Sequence, residues 1–518
     1  MAIIKQHDKR TGITYVYESI SYWDKEKQQS RAKRKLIGKI DPATGEMVPT
    51  RKKKSTPKAD PQNTAQLLFS FRRQHFGAVD TLQKISKKLK LDQGLQNIFP
   101  QDYRAILNLA YYLVLSPTSA VMHYPHWAKL HAVTGETLTS QSISKLFGKV
   151  SEHHKQSFFR WMLATHGEQE YWAYDTTTIS SYSRLLPYIQ YGYNKDHESL
   201  PQLNLALLYG EKTHLPFCYR ELTGNIPDLK TIPWLLNQLE DMNIPHSQLV
   251  MDRGHYSKEN IIELLKSGHS FIMGAKQSVQ YIQERIKTLY DARDDIEKFD
   301  EDYFMYMHSV RVTDEFSASA TSYYPITLHL YYQSDRASEE TQRLDKLVRR
   351  LLNKVNRKED LTELESKQVK RYLTKGKDGY QINKEVIQQK RKTMGWMALL
   401  TNTPLTSQEV LEIYRNKDVV EKAFYDIKDR FNLNRLRVSS EQSMIGKLFV
   451  QFIALILVSY IKYQMKKAKL FKEYTLEELL NQLNLIDFYV NDKQEYYIGE
   501  VTDKQRYLYH ALGVLPPS

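Results

Sequence analysis

The chain has 518 residues, 74 Lys and Arg against 60 Asp and Glu, a formal charge of +14 and one cysteine, Cys218. That length exceeds one ordinary core and predicts two to four domains; a single cysteine excludes an intrachain disulfide and a cysteine-rich zinc site, and fits a reducing cytoplasm. The basic surplus is clustered, with 15 Lys/Arg against 7 Asp/Glu in residues 1–60 and 16 against 8 in residues 340–392, a pattern that points to a polyanion such as nucleic acid.

The N-terminus, Met-Ala-Ile-Ile-Lys-Gln, lacks the apolar core of a signal peptide. Residues 11–40 alternate apolar and polar (Ile13, Tyr15, Tyr17, then Ile20, Tyr22), which predicts a small β-hairpin unit containing the basic run Arg31 to Lys35. Arg51, Lys52, Lys53 and Lys54, expected DNA contacts, open a charged tether that closes a first segment, 1–60. Residues 61–168 show helical spacing (Leu67, Leu68, Phe71; Ile106, Leu107, Ala110, Tyr111, Leu113), with Ser140, Ser142 and Ser144 around the start of a further helix. This module is either a helix-turn-helix-like DNA reader or a helical scaffold.

From 169 to 276 the texture becomes β/α. Tyr171 to Tyr174 is a short strand ending in Asp175; Leu203 to Leu208 and Leu215 to Leu222 are strands joined by a tight turn. The segment Gly224-Asn225-Ile226-Pro227-Asp228 caps a helix to about Leu239, Leu249 to Met251 is a strand ending in Asp252, a helix runs from Ser257 to Lys266, and Phe271 to Gly274 is another strand. Residues 277–394 interrupt with aromatic strand-like runs, Tyr303 to Val312 and Ile326 to Tyr332, then a charged helical stretch at roughly 336–375; the expectation is a separate subdomain cored by those strands, with Arg349, Arg350 and Lys354 facing DNA. Residues 395–435 resume with a strand, Met397 to Leu400, and a helix from Ser407; residues 436–518 add C-terminal helices for dimerisation or DNA contact. The most apolar stretch, Leu448 to Ile461, is too short to span a bilayer and contains Gln451, so it reads as a buried helix with no membrane partner.

At about 100° per residue, Tyr414, Lys417, Glu421 and Lys428 share an arc of roughly 60° on one helix, beside the apolar Ile413, Val420, Phe424, Ile427 and Phe431. Such a helix can dock and still present one carboxylate and two ammonium groups. Asp175 and Asp252 end strands, where ligands bind α/β sheets. Three carboxylates converging from distant segments can hold two divalent metals, and nearby lysines can hold phosphates. Each group also has an ordinary reading: Asp175 as a turn or cap, Glu421 as helix ion pairing, Arg253 as a counter-ion to Asp252, His255 and His269 as polar contacts.

The order strand–Asp, two strands, helix, strand–Asp-Arg-Gly, insertion, then a helix with Tyr-x2-Lys-x3-Glu-x6-Lys resembles the DD-E transposases of bacterial insertion sequences, the insertion-sequence-4 superfamily and its relatives. Lys417 stands where that family usually has arginine, which keeps the charge but not the bidentate fork. The resemblance covers roughly residues 170–430 and implies an α/β fold: a ribonuclease-H-like mixed sheet flanked by helices and interrupted by a β-rich insertion. It implies that Asp175, Asp252 and Glu421 are catalytic and hold two Mg²⁺ ions, with Mn²⁺ able to substitute. Tyr414, Lys417 and Lys428 would position the DNA backbone near the cut; Arg253, by its place after Asp252, is a separate candidate to reach a phosphate. The implied activity is cut-and-paste transposition, end cleavage followed by strand transfer. The implied partners are double-stranded terminal inverted repeats and target DNA, bound by a homodimer in the bacterial cytoplasm at the nucleoid. The alternatives are a catalytically inactive DNA-binding relative and a metal-dependent nuclease without strand transfer.

Overall fold

The computed structural model describes residues 2–24, 27–50, 71–117, 120–135, 137–183, 186–317, 325–376, 379–438, 440–491 and 495–517; Arg51 to Lys54, Leu67 and Leu68 lie outside them. The chain divides into two units, residues 1–72 with 491–495, and residues 73–490 with 496–518. In the first, the alternation of Tyr, Ile and Val forms strands as predicted. β1 (Ala2–Asp8), β2 (Ile13–Asp24), β3 (Gln29–Ile40) and β4 (Met47–Val48) make an antiparallel sheet in that order. β2 and β3 pair from Tyr15↔Lys39 to Asp24↔Gln29, with an irregularity at Val16/Tyr17.

A short strand, β5 (Arg72–His75), leads into the second unit and, among its described residues, six helices, Gly77–Lys88, Leu91–Ile98, Tyr103–Leu115, Tyr124–Leu130, Ser140–Lys149 and Glu152–His166. Their starts are set by local chemistry: the Thr139 hydroxyl accepts from the Ser142 amide at 3.1 Å, and Ser151 and His154 form a reciprocal cap on the last. The apolar C-terminal helix, Glu441–Lys467, is long enough to cross a membrane, yet 89% of its most apolar window is buried inside the protein. Phe449 packs on Phe158 and Phe452 on Phe159, each with ring centres 5.4 Å apart. A Cβ on Gly446 would lie 2.3 Å from the Phe147 carbonyl oxygen, so only glycine lets the two helices come this close. The helical segment and the C-terminal region, predicted as separate segments, therefore share one core.

That core continues under a nine-stranded sheet: β6 (Tyr171–Ser180), β7 (Gln202–Gly210), β8 (Pro216–Thr223), β9 (Gln248–Met251), β10 (Ser270–Ala275), β11 (Phe299–Asp300), β12 (Met305–Arg311), β13 (Thr327–Tyr332) and β16 (Trp396–Thr401), a hairpin of β14 (Leu373–Gly376) and β15 (Gly379–Ile382) intervening in sequence. The order is β11-β12-β13-β16-β10-β9-β6-β7-β8. β6, β7 and β8 form an antiparallel meander, and β9 and β10 run parallel to β6. β17 (Asp487–Val490) and β18 (Tyr496–Ile498) complete a small sheet with β5.

Two expectations are corrected. β6 does not end at Asp175 but runs on to Ser180, because the β-branched Thr176, Thr177, Thr178 and Ile179 stay paired with β7 as far as Ser180↔Gln202. The aromatic strands of the insertion do not core a separate subdomain: β13 pairs with β16 and β12 with β13, so they extend the main sheet. Only the charged part, with helices Ser334–Asn356, Glu363–Tyr372 and Lys384–Lys392, has its own small core, including Leu344, Val348, Leu351, Val369 and Ile387.

Two buried imidazoles carry a pH prediction. His131, stacked on Trp127, and His329, beneath the Ser309 and Ser407 hydroxyls, are each pushed from 6.5 down to about 4 by burial. Below 6.5 the unfolded chain takes up protons that the folded chain refuses, so stability is lost as pH falls. Thermal melts should show a steady decline from pH 6.5 toward 4; a level melting temperature across that window would mean these rings carry no such linkage.

Candidate active site

The register of the sheet brings the two aspartates together. Tyr174 pairs with Met251 across the parallel β6–β9 ladder; Asp175 is the next residue on β6 and Asp252 the first beyond the end of β9. Neighbouring strands lie about 4.8 Å apart, so the two carboxylates start abreast where β9 ends, beside the middle of β6. Asp175 is 15% exposed. Burial opposes its ionisation, but His255, Lys195 and the Thr176 amide outweigh it and hold the carboxyl below its ordinary range.

The helix predicted from Ser407 is broken into three pieces. Ser407–Asn416 starts at a Thr406–Glu409 capping box, Lys417 forms the joint, Asp418–Tyr425 follows, and Asp426–Arg430 is a wide π-helical turn. Tyr414 donates to Asp252 Oδ1 at 2.6 Å. It reaches that far across Gly274, where a Cβ would sit 2.7 Å from its hydroxyl. Burial first, and the Asp252 charge next, raise its pKa, so it stays a neutral donor. Lys417, 6% exposed, donates to Glu421 Oε1 at 2.9 Å and lies 3.7 Å from Asp252 Oδ1. Burial works against its charge, but Asp252 and Glu421 prevail and raise its pKa. Glu421, 60% exposed, is therefore tied to Asp252 through one ammonium group.

Lys428 departs from this group. The π turn changes the phase of the helix, and Lys428 pairs with Asp196 at 2.6 and 2.8 Å. Arg253 is exposed beside the site. Within the insertion, Arg349 is exposed, Lys354 donates to Glu365 at 2.9 Å, and Arg350 lies 4.0 Å from the same carboxylate. Lys354 thus serves the insertion's own fold.

Three further residues, Asp228, Lys195 and His255, complete the site. Asp228 accepts the Thr176 hydroxyl and lies 3.1 Å from Lys195 Nζ, which is also 3.5 Å from Asp175 Oδ1. Asp228 fits against Gly254, where a Cβ would come within 3.1 Å of Oδ2. His255 is fully buried: Nδ1 is 3.1 Å from the Asp228 carbonyl, which can only accept, and Nε2 lies 3.7 Å from Asp175 Oδ1. His269, by contrast, bonds Ser247 within the sheet, as an ordinary polar contact. The sequence marks Asp228 only as part of its Gly-Asn-x2-Asp segment. Lys195, a lone lysine in a loop, carries no local signal.

Four carboxylates and two ammonium groups thus alternate: Lys195 between Asp175 and Asp228, Lys417 between Asp252 and Glu421. Among the described residues no three His, Cys, Asp or Glu side chains converge as a finished ligand cluster. The donor set nonetheless fits a hard divalent cation: its donors are carboxylate oxygens, and cationic groups already sit between them.

A model of the transposase DDE domain family matches residues 165–457, more than half of the chain and the whole of this site. The protein belongs to that family, whose members are transposases acting on DNA and generally use divalent metal ions. A search of curated proteins finds no match. Among solved structures, the chain is similar to one in a cryo-EM structure of the piggyBac transposase synaptic complex with hairpin DNA, at 9% identity over 79% of this chain and 69% of that one, with a TM-score of 0.36.

Proposed function

We propose that this protein is a cut-and-paste DD-E transposase of a bacterial insertion sequence, of the insertion-sequence-4 superfamily or its relatives, acting as a homodimer on paired terminal repeats. The observation that carries the proposal is the placement of Asp175 and Asp252 abreast, with Glu421 tied to Asp252 through Lys417. The meander β6-β7-β8 with β9 and β10 parallel to β6 supports a ribonuclease-H-like core. Asp175, Asp252 and Glu421 would hold Mg²⁺, which when bound activates a nucleophilic oxygen and stabilises the leaving oxygen at phosphorus.

The remaining chemistry is positional. Tyr414 orients the Asp252 carboxylate, and His255 and the Thr176 amide keep Asp175 ionised. Lys195 and Lys417 neutralise the carboxylates while no other cation is present, and can turn toward a phosphate when one is. Lysine suits that exchange, being a compact charge on a flexible stem. Asp228 has its two oxygens on Thr176 and Lys195 and so positions the Asp175 side of the site.

The test is a strand-transfer assay. The purified chain, duplex DNA taken from the borders of its coding region and a supercoiled target should yield joined products with Mg²⁺ and none with chelator. Cleavage without joining would leave a nuclease, and binding without cleavage an inactive relative.

A further inference from the structure

We infer that the distal half of the β2–β3 hairpin is a DNA-reading ribbon that lies in the major groove of a duplex. The inference rests on the transposase reading and names how the first unit holds its substrate. The pairing of β1 with β2 ends at Ala2↔Ser19, and β4 meets β3 only at Lys39 and Ile40. Between these limits, from Ile20↔Lys33 to Asp24↔Gln29, the described ladder has two strands and no third. A bare two-stranded ribbon is marginal in water. This one also exposes large apolar side chains: Ile20 is 48% exposed, Tyr22 49% and Trp23 62%. Exposure of that kind calls for a partner.

The register says which partner. Residues directly opposite share a face, so Ile20, Tyr22, Arg31, Lys33 and Lys35 lie on one side, and Trp23, Ser21, Ala32 and Arg34 on the other. β3 carries five cations, Arg31, Lys33, Arg34, Lys35 and Lys39, and no acid, and every residue from Gln29 to Leu36 is exposed. Alternate residues on a strand repeat at about 6.8 Å, so Arg31, Lys33 and Lys35 form a straight cationic rail. Aromatic and β-branched groups run beside that rail. Arg31 pairs with Asp24 at 3.4 Å near the tip. Two strands about 4.8 Å apart, with their side chains, match a B-form major groove about 12 Å wide, which admits a β-ribbon; the minor groove, about 6 Å wide, does not. The deep, narrow major groove of A-form RNA is closed to it too. Lys33, Arg34 and Lys35 then meet phosphates, and Tyr22, Trp23 and Arg31 meet base edges.

The experiment uses the full chain and a fluorescent random-sequence DNA duplex, titrated at several salt concentrations. The Lys33→Glu, Lys35→Glu double variant should weaken binding about tenfold or more and lower the salt slope by about two, since each lost phosphate contact removes about 0.9. The Tyr22→Ala, Trp23→Ala double variant should weaken binding and remove protection of guanine N7, a major-groove atom, from dimethyl sulfate. All four side chains are exposed, so melting temperatures should match the unmodified chain. If the unmodified chain binds and both variants bind as tightly with the same slope, the ribbon is not the reader. Equal competition by duplex RNA, or loss of binding to a minor-groove drug alone, overturns the groove assignment. Failure of the unmodified chain to bind any duplex sinks the transposase reading itself.

Discussion

Asp175→Asn, Asp252→Asn and Glu421→Gln should each abolish DNA cleavage while leaving duplex binding within a few fold of wild type. The substitutions keep size and most hydrogen bonds: an asparagine in place of Asp252 retains an oxygen for the Tyr414 hydroxyl, whose 2.6 Å bond to Asp252 needs only an acceptor. What they remove is the charge a divalent cation requires. Metal stabilisation of the transition state is worth several kcal/mol, and each ~1.4 kcal/mol is tenfold in rate, so losses of about a thousandfold are expected. Affinity comes from many phosphate contacts and is largely spared. The lysines should behave differently. Lys195→Met leaves Asp175 and Asp228 without their shared ammonium group, so it should lower stability in chelator more than in Mg²⁺. Nicking assays and anisotropy at one salt concentration, with melts in each condition, measure all of this. Near-normal cleavage by any of the three carboxylate variants would remove that residue from the triad.

Much of this site is legible in the sequence because its parts are local. An Asp in or just after a strand-like apolar run is visible in a linear string, though not that β6 continues past Asp175; that Tyr174 pairs with Met251, and so sets Asp175 beside Asp252, is not visible. The spacing of Tyr414, Lys417 and Glu421 predicts a shared face, and all three meet at Asp252 or its neighbour Lys417. Lys428 escapes because a face drawn at a uniform 100° per residue loses its phase at the π turn, Asp426–Arg430. Asp228 and Lys195 join through contacts across 52 and 19 residues with Thr176, which no periodicity encodes. The aromatic strands of the insertion read in sequence as a core of their own. An open sheet edge at β16 pairs with any suitable strand, and β13 answers it over six residues, Thr327 to Tyr332.

The other large effect concerns stability. Lys155→Met should destabilise the protein by about 3–5 kcal/mol, a substantial share of the roughly 5–15 kcal/mol typical of a folded domain. Lys155 sits on the helix Glu152–His166 with 1% of its side chain exposed, and donates to both oxygens of Glu221 on β8 at 2.8 and 2.6 Å. Its ammonium also lies 5.0 Å from the Tyr219 ring and 2.9 Å from Glu152. Glu152 is more than half exposed and can return to water when the lysine is lost. Glu221, with 6% of its side chain exposed, cannot, and is left as an unpaired buried charge. The cost therefore lies in the orphan and not in the broken bond, which makes a sharp prediction for the double variant. Lys155→Met with Glu221→Met removes both charges and leaves no buried polar group, and should recover most of the loss, because replacing a buried ion pair by apolar groups of similar size is often close to neutral. Denaturant unfolding followed by far-UV circular dichroism compares the single and double variants. The pair joins the helical segment to the sheet, so in the single variant the two should begin to unfold apart and the transition should broaden. A double variant as unstable as the single one would place the cost in packing around Lys155 and not in the stranded charge of Glu221.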